Sequence, residues 1–372
     1  MIQKKFFGSS LREQESPMKI VELGYSGVGK TTYMASMYGT LQEGFGGFKL
    51  RTIDHAEHTR LLGLYASIKA GNYPPATSQR NEYDFYLQHG GKDIFQFTWA
   101  DYRGKAIRET SDSYEAQRLH QDICSADGIM IFFDCKALIK GDAKANEIRR
   151  VTALMNKAFQ DLNQPISLAI VLTKIDLVEK ENFKSGLLEP LKGLIEVVET
   201  SNMVSGTLIP VACGIKMINT QMPVLFALQT RVRSTVNMLN EEYKKYASEA
   251  ESCEEEARKE QKLASGLGGF FRDLGRSILS ETTHAELARR NWREAEEKKE
   301  KAQAKLAEWQ PLSQPANDLN YYTKRLINIR KGETLHNYVT QLKRFEGGGQ
   351  SFIFIFFLIV VAIIILIAVY SK

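Results

Sequence analysis

The sequence predicts an α/β fold with a doubly wound, mainly parallel sheet, followed by an α-helical coiled-coil hairpin and a single transmembrane helix. Three observations support this fold class. Apolar runs of strand length alternate with helical stretches as far as about residue 230, residues 231–310 repeat small or apolar side chains at spacings of four and three, and residues 352–370 contain no charge. Alternation of strands and helices favours a parallel sheet covered on both faces, with ligands at the carboxyl ends of its strands.

Composition excludes little. The chain has 372 residues, 43% of them hydrophobic, which is ordinary for a globular protein. Its net charge of +5 is small and spread along the chain, so it gives no case for nucleic acid as a partner. The four cysteines are widely separated and predict neither a metal-ligand pair nor a redox pair.

The first motif lies between a predicted strand, 18–23, and a predicted helix that follows it. A glycine, four further residues and then Gly29-Lys30-Thr31 is the spacing of a phosphate-binding P-loop, in the context that this motif requires. Lys30 would reach the β- and γ-phosphates and the Thr31 hydroxyl would bind Mg²⁺. Backbone N–H groups would contact phosphate oxygens. The predicted nucleotide-binding residues here are Gly24, Tyr25, Ser26, Gly27, Val28, Gly29, Lys30, Thr31 and Thr32.

The second motif, Asp101-Tyr102-Arg103-Gly104, ends a predicted β-hairpin built from residues 82–88 and 94–99. Downstream of a P-loop, an aspartate, two further residues and then a glycine predict a second phosphate motif. Asp101 would hold Mg²⁺ through water, and the Gly104 N–H would sense the γ-phosphate. Together with Lys30 and Thr31, these two residues are the predicted catalytic set.

The third motif follows two fully apolar predicted strands, 128–133 and 166–172, each preceded by a helical stretch. With Thr173-Lys174-Ile175-Asp176 the chain resembles the P-loop GTPases of the Ras-like, translation-factor-related class. The resemblance covers about residues 18–230. It implies that GTP is the ligand, that Asp176 accepts hydrogen bonds from the guanine N1–H and 2-amino group, and that the Lys174 stem packs along the base. Ala212-Cys213-Gly214 resembles the family's loop that offers a backbone N–H to the guanine oxygen, with Ala212 and Cys213 where Ser-Ala is usual.

Two departures from the family pattern bear on mechanism. Lys105 stands where the family has its water-orienting Gln, so intrinsic hydrolysis is expected to be slow or completed by a partner or second copy. The first switch region is long, and Thr77 is the predicted switch threonine whose hydroxyl joins Mg²⁺, with Thr52 and Thr59 as rivals. The predicted metal ligands are therefore Thr31, Thr77 and Asp101.

Beyond residue 230, the spacing of small and apolar residues among charges predicts two long helices that pair, within one chain or between two. A single solvated helix is the remaining alternative. The glycine-rich segment between them, 265–279, would contact a bilayer or a partner, or fold back onto the protein. Pro311 and Pro315 are expected to end the stalk, with short helices at 319–329 and 334–345 after it.

The uncharged stretch 352–370 spans about 28 Å as a helix, close to the thickness of a hydrocarbon core. Its place near the end resembles tail-anchored proteins, which implies a single-pass membrane protein with its bulk in the cytoplasm. We thus predict a disordered tail (1–17), a GTPase domain (18–230), a coiled-coil stalk (231–310) with an apolar tip (265–279), short helices and a glycine linker (311–350), and a transmembrane tail anchor (351–370).

These observations predict a membrane-anchored protein that binds GTP and hydrolyses it with Mg²⁺ as a switch or assembly module. The alternatives are a membrane-remodelling GTPase, by resemblance of layout to the dynamin-like GTPases, and a GTP-binding scaffold or tether with little turnover, which Lys105 favours. Expected partners are the membrane, a second copy of the chain through its G domain or coiled coil, and an activating or effector protein. The Trp99–Gly104 segment also resembles uncharacterised bacterial signalling or defence GTPases.

Overall fold

A computed structural model describes residues 17–75, 80–102, 106–108, 113–179, 185–279 and 281–345. The described chain divides into two compact units. Residues 17–231 and 318–345 belong to one, and residues 232–317 form the other. We call them the sheet unit and the helical unit.

An eight-stranded sheet forms the centre of the sheet unit. Its strands, in chain order, are β1 (Met18–Leu23), β2 (Phe48–Thr52), β3 (Asn81–His89), β4 (Lys92–Asp101), β5 (Gly128–Asp134), β6 (Ile166–Thr173) and β7 (Val204–Pro210), while β8 (Ala212–Cys213) and β9 (Met217–Ile218) pair separately and β10 (Ile327–Asn328) completes the large sheet. The spatial order is β10-β7-β6-β5-β1-β4-β3-β2. Neighbours from β7 to β4 are parallel, whereas β10, β3 and β2 add antiparallel edges, so the sheet is mixed.

Burial along the strands explains this arrangement. Every residue of β6, and β5 up to its last residue, is buried. Strands covered on both faces need continuous apolar sequence, and these two have it. The edge strand β2 alternates buried and exposed residues instead, as expected of a strand with one covered face. The carboxyl ends of β1, β5 and β6 consequently meet at one edge of the sheet.

The helices of the sheet unit follow the strands in alternation. They are α1 (Lys30–Glu43), α2 (His55–Lys69), α3 (Tyr114–Cys124), α4 (Cys135–Ile139), α5 (Ala143–Asn146), α6 (Ile148–Ala158), α7 (Lys192–Thr200) and, after the helical unit, α11 (Leu335–Phe345). Short 3-10 turns lie at Ala106–Arg108, Ile175–Leu177, Ser185–Leu187 and Glu189–Leu191. Side-chain caps start several helices. Ser113, for example, accepts a hydrogen bond from Ala116 N at 3.1 Å at the start of α3.

The helical unit consists of parts of two long helices and the helix between them. These are α8 (Met222–Ala264), α9 (Gly266–Ile278) and α10 (His284–Thr323). Ion pairs between Glu249 and Lys298 and, at 3.0 Å, between Glu242 and Lys305 show that α8 and α10 run antiparallel. Besides the larger Val232, Leu239 and Leu312, five buried residues of the pair are alanines: Ala250, Ala257, Ala288, Ala295 and Ala302. Small side chains at the contact allow two helices to approach closely.

The segment predicted as an apolar tip forms helix α9. Five large side chains on it and just after it are strongly exposed: Leu267, Phe270, Phe271, Ile278 and Leu279. They do not fold back onto the helical unit.

Two predictions about the segment after residue 310 are wrong. Pro311 and Pro315 lie inside α10 and do not end it. Each proline removes only one main-chain hydrogen bond, and burial of Leu312 supports the helix through this region. The second difference concerns the predicted helix 319–329. Its final part is strand β10, which pairs with β7 through Ile327 and Leu208.

The transmembrane part of the predicted fold class and the membrane localisation are corrected. Over the part of the chain that the structure describes, no helix combines the length and the apolar character needed to cross a bilayer. Both predictions required such a helix. The stretch on which they rested, 351–370, lies outside the described residues, as do residues 1–16 of the predicted tail.

Candidate functional site

The loop between β1 and α1 has the backbone of a phosphate-binding loop. Gly29 adopts φ 102° directly before the first residue of α1, and Gly27 adopts φ 85°. Side chains other than glycine rarely adopt such values, so the loop depends on these two positions. The 14-residue helix α1 therefore begins directly after the loop that follows β1. A helix N-terminus attracts anions through its free N–H groups and its dipole.

Lys30 lies buried beneath this loop. Its Nζ donates a hydrogen bond to the carbonyl oxygen of Gly24 at 3.0 Å. Two acidic residues lie side by side on neighbouring strands: Glu22 of β1 is in register with Asp101 of β4. Both are buried, with 0% and 2% of their surface exposed. A lysine and two carboxyl groups thus share the base of the loop.

Burial changes the acidity of both carboxyl groups. It raises the pKa of Asp101 to about 6, against the opposing positive charges of Lys30 and Arg60. Burial likewise holds the pKa of Glu22 well above its ordinary value, and the charge of Asp101 adds to this, against Lys30 and a hydrogen bond from Trp99. Trp99 Nε1 donates that bond to Glu22 Oε2 at 2.8 Å. Asp101 Oδ1 is buried and has no hydrogen-bond partner among the described residues.

Thr173, at the end of β6, holds the loop from the other side. Its Oγ1 lies 2.6 Å from the carbonyl oxygen of Val28 and 3.0 Å from that of Phe133. One contact joins β6 to the phosphate loop and the other joins it to β5. Since a hydroxyl has a single proton, it donates to one of the two carbonyls at a time.

Lys174 follows in the left-handed region, at φ 56°. Its Nζ donates to the Gly27 carbonyl oxygen at 2.8 Å and to Asp134 Oδ2 at 2.6 Å. Asp134 also caps α4 by accepting a hydrogen bond from Ala137 N at 3.1 Å. The lysine therefore connects the phosphate loop to the carboxyl end of β5.

One cavity of about 480 Å³ brings the first and third motifs together. It is lined by Ser26, Gly27, Gly29, Lys30, Thr31, Thr32, Tyr73, Pro74, Pro75, Lys136, Thr173, Lys174, Asp176, Leu177, Cys213 and Gly214. Gly214 lies close to Asp176 and Tyr73 in this wall. A Cβ added to it would lie 3.6 Å from Asp176 Oδ2 and 3.1 Å from the Tyr73 hydroxyl. Burial raises the pKa of the Cys213 thiol to about 12, so that side chain is uncharged at neutral pH.

Several predicted site residues are not in the cavity wall. Gly24, Tyr25 and Val28 belong to the loop but do not line the cavity, and Ala212 is buried behind Cys213. Asp101 lies beneath the loop. Thr77, Gly104 and Lys105 are outside the described residues.

Five wall residues were not predicted from the sequence: Tyr73, Pro74, Pro75, Lys136 and Leu177. Lys136 follows the end of β5, and its position after an apolar strand was the signal that could have found it.

A second network joins the Asp101 motif to α3. The carboxylate of Asp122 in α3 accepts hydrogen bonds from Lys19 and Tyr102, and from Arg80 at 2.9 Å. Burial alone would raise the pKa of Asp122, but hydrogen bonds from these three partners outweigh it and lower the pKa. Tyr102 directly follows Asp101, so α3 is tied to the residue next to the predicted metal ligand.

An arginine stacks on the phosphate loop. The Arg108 guanidinium carbon lies 4.3 Å from the centre of the Tyr25 ring, which is a cation–π distance. Arg108 Nε also donates to Glu147 Oε1 at 2.6 Å. The short turn Ala106–Arg108 is thereby held beside the loop.

Comparison with solved structures found a bacterial selenocysteine-specific elongation factor, EF-Sec. The similarity has 15% sequence identity and a TM-score of 0.29, and it covers 61% of this chain and 29% of that one. The chain therefore spans less than a third of the elongation factor. No curated protein matches the sequence.

Comparison with protein families gave a direct assignment. The family Double-GTPase 2 matches residues 20–205, half of the chain, and this region contains the phosphate loop, Asp101 and the Thr173–Asp176 motif. The matched region also includes β5 and β6, at or just after whose carboxyl ends Lys136, Thr173, Lys174 and Asp176 line the cavity. The chain belongs to the Double-GTPase 2 family and is a GTPase that binds and hydrolyses GTP.

Proposed function

We propose that this GTPase is a nucleotide-dependent switch or assembly module that binds GTP with Mg²⁺ in the 480 Å³ cavity. The observation that supports this most directly is the shared wall of that cavity. Phosphate-loop residues and the Thr173, Lys174 and Asp176 positions line the same space. Its volume lies in the range of small-molecule sites.

The phosphate end is the loop and the start of α1. Free N–H groups at the helix N-terminus would bind the phosphate oxygens, and Lys30 would exchange the Gly24 carbonyl for the β- and γ-phosphates. This exchange costs little, because the lysine leaves a neutral acceptor for a charged one.

Thr31 and Asp101 are the described residues that would hold Mg²⁺, with Thr77 as the third predicted contributor. Asp101 fits this role because its Oδ1 is buried without a hydrogen-bond partner among the described residues. Mg²⁺, when bound, neutralises charge on the phosphates. Its binding requires an ionised Asp101.

The base end would distinguish guanine from adenine. The Asp176 carboxylate would accept hydrogen bonds from N1–H and the 2-amino group of guanine. Adenine has no such pair of donors, so it would leave the carboxylate unpaired. Lys174, held by Gly27 and Asp134, would keep its stem in place against the base.

Turnover and switching would depend on residues from outside the described cavity. Lys105 stands where the related GTPases have their water-orienting Gln. We propose that a partner or a second copy of the chain completes hydrolysis, and that the Gly104 and Thr77 segments respond to the γ-phosphate. The exposed apolar side chains of α9 favour an assembly module over an isolated switch.

The base-end assignment is tested with Asp176→Asn in the full chain. Xanthine carries a carbonyl oxygen where guanine has its 2-amino group, so the asparagine amide would donate to that oxygen while its carbonyl accepts from N1–H. We expect GTP affinity to fall at least about 100-fold, since two hydrogen bonds to a charged group contribute about 1.5–3 kcal/mol each. Affinity for xanthosine triphosphate should rise. Glu179→Gln, at an exposed acidic residue three positions on, is the matched control and should bind GTP as the unaltered protein does.

Unchanged GTP affinity in Asp176→Asn would refute the assignment of the base end. The assembly proposal has a separate test. GTP turnover per molecule should rise with protein concentration if a second copy completes the site. Constant turnover per molecule over a hundredfold range of concentration would contradict assembly.

A further inference from the structure

Three potential metal ligands meet on the sheet unit, apart from the nucleotide cavity. His120 and Cys124 lie one turn apart on the same face of α3, and Asp161 follows the end of α6. One ligand atom from each lies within 4.8 Å of the other two. None of the three lines the nucleotide cavity.

Two of the three distances match those of a tetrahedral metal site. His120 Nε2 lies 3.6 Å from Cys124 Sγ and 3.0 Å from Asp161 Oδ2. With Zn–S near 2.3 Å and Zn–N or Zn–O near 2.0 Å, a tetrahedral angle places nitrogen about 3.5 Å from sulfur and about 3.3 Å from oxygen. Both separations agree within about 0.3 Å, and the third, between Cys124 and Asp161, is at most 4.8 Å, where such a site needs about 3.5 Å.

The arrangement does not suit a nucleophilic cysteine. In a Cys–His–Asp relay the carboxylate holds one ring nitrogen and the thiol faces the other. Here both contacts converge on Nε2, while Nδ1 of His120 is buried without a hydrogen-bond partner among the described residues. A single nitrogen either donates or accepts, so it cannot serve both neighbours at once. An ion at this point would accept a lone pair from all three groups.

We propose that His120, Cys124 and Asp161 bind Zn²⁺ as a three-ligand site whose fourth position is open to water. One nitrogen, one sulfur and one oxygen ligand are a set that Zn²⁺ accepts readily, whereas Mg²⁺ prefers oxygen alone. On binding, the Cys124 thiol releases its proton to solvent, and His120 binds through Nε2 with its remaining proton on Nδ1. The Asp161 side chain is 55% exposed, which leaves a path for the ion.

A bound ion would connect two parts of the sheet unit. It would join the end of α3 to the segment after α6. The same helix α3 carries Asp122, which contacts Tyr102 next to Asp101. Zn²⁺ would thus fix the helix that is tied to the second nucleotide motif.

The test uses the full chain, freed of metal with a chelator and titrated with Co²⁺ as a spectroscopic probe. Thiolate-bound Co²⁺ gives a charge-transfer band in the near ultraviolet, and tetrahedral Co²⁺ gives strong visible bands. We expect both at one equivalent, and their loss when Zn²⁺ is added. Oxygen ligands at the nucleotide site would produce no thiolate band.

Variants identify the ligands. Cys124→Ser should abolish the charge-transfer band, and Cys253→Ser, at another partly exposed cysteine, should keep it. This pair also separates the proposed site from Cys213. Asp161→Asn retains the thiol and alters an exposed side chain, so the fold of this variant should persist. Its Co²⁺ affinity should fall at least about 10-fold, because even the loss of a residue that only orients a metal ligand has an effect of that size. A missing band in the unaltered protein, or a band that survives in Cys124→Ser, would overturn the proposal.

Discussion

Thr173→Val removes the hydroxyl that connects β6 to the phosphate loop and keeps the side chain's shape. In the structure, Thr173 Oγ1 lies 2.6 Å from the Val28 carbonyl oxygen, and the residue is 3% exposed. Valine fills the same space but has no proton to donate. A carbonyl that is buried with the loop therefore loses its donor.

The expected loss has two parts. A buried acceptor left without its partner costs about 1–3 kcal/mol, so the free energy of unfolding should fall by that amount. The second part appears in binding. If the loop is no longer held, nucleotide binding must order about one residue of backbone, at about 1–2 kcal/mol. This corresponds to about 5–30-fold weaker GTP binding.

Denaturant unfolding without nucleotide measures the first part, and titration with a fluorescent GTP analogue measures the second. Thr173→Ser is the matched control, because it keeps the hydroxyl and loses only a methyl group. It should be less stable than the unaltered protein but bind GTP equally well. If Thr173→Val loses stability and binds GTP with unchanged affinity, then the hydroxyl does not position the loop and the reasoning is refuted.

Two further changes test the packing and charges that position the site. Asp122→Asn should lower the free energy of unfolding by about 3–5 kcal/mol at pH 7, the cost of breaking a buried ion pair. Because the pKa of Asp122 is lowered in the folded state, this difference should shrink as pH falls below the ordinary value of 3.8. A difference in urea unfolding that stays constant from pH 7 to pH 3 would contradict the prediction. Gly128→Ala places a Cβ 2.2 Å from the carbonyl oxygen of Ala227, so α8 must move and thermal unfolding should show a loss of about 3 kcal/mol or more. Gly193→Ala in α7 has only ordinary contacts and should be neutral or stabilising, and equal melting temperatures for the two alanine variants would argue against close packing at Gly128.

Sequence analysis located the phosphate loop because everything that defines it is local. Gly27, Gly29 and Lys30 are consecutive or nearly so, and the positive φ values follow from residue type. The strands β5 and β6 were equally evident, since burial on both faces requires an unbroken apolar run. Strand β10 was not found, because two residues, Ile327 and Asn328, are too short to show any period.

The neighbours of Cys124 in α3 cannot be read from the cysteine spacing. The four cysteines formed no pair in sequence, and no metal ligand was predicted from them. The relevant neighbours of Cys124 are His120, one helical turn away, and Asp161, which lies 37 positions along the chain. Only the packing of α3 beside α6 brings the aspartate to the histidine.

The sequence by itself determined the chemistry at each strand end: a phosphate loop after β1, an aspartate at the end of β4 and a lysine–aspartate pair after β6. Tertiary structure decided what those residues contact. Parallel strands bring Thr173 to the Val28 carbonyl, and Glu22 beside Asp101, although each pair is separated by more than 70 positions. The physical reason is that a sheet's strand order sets such neighbours. That order depends on burial of the whole core, which no short stretch of sequence contains.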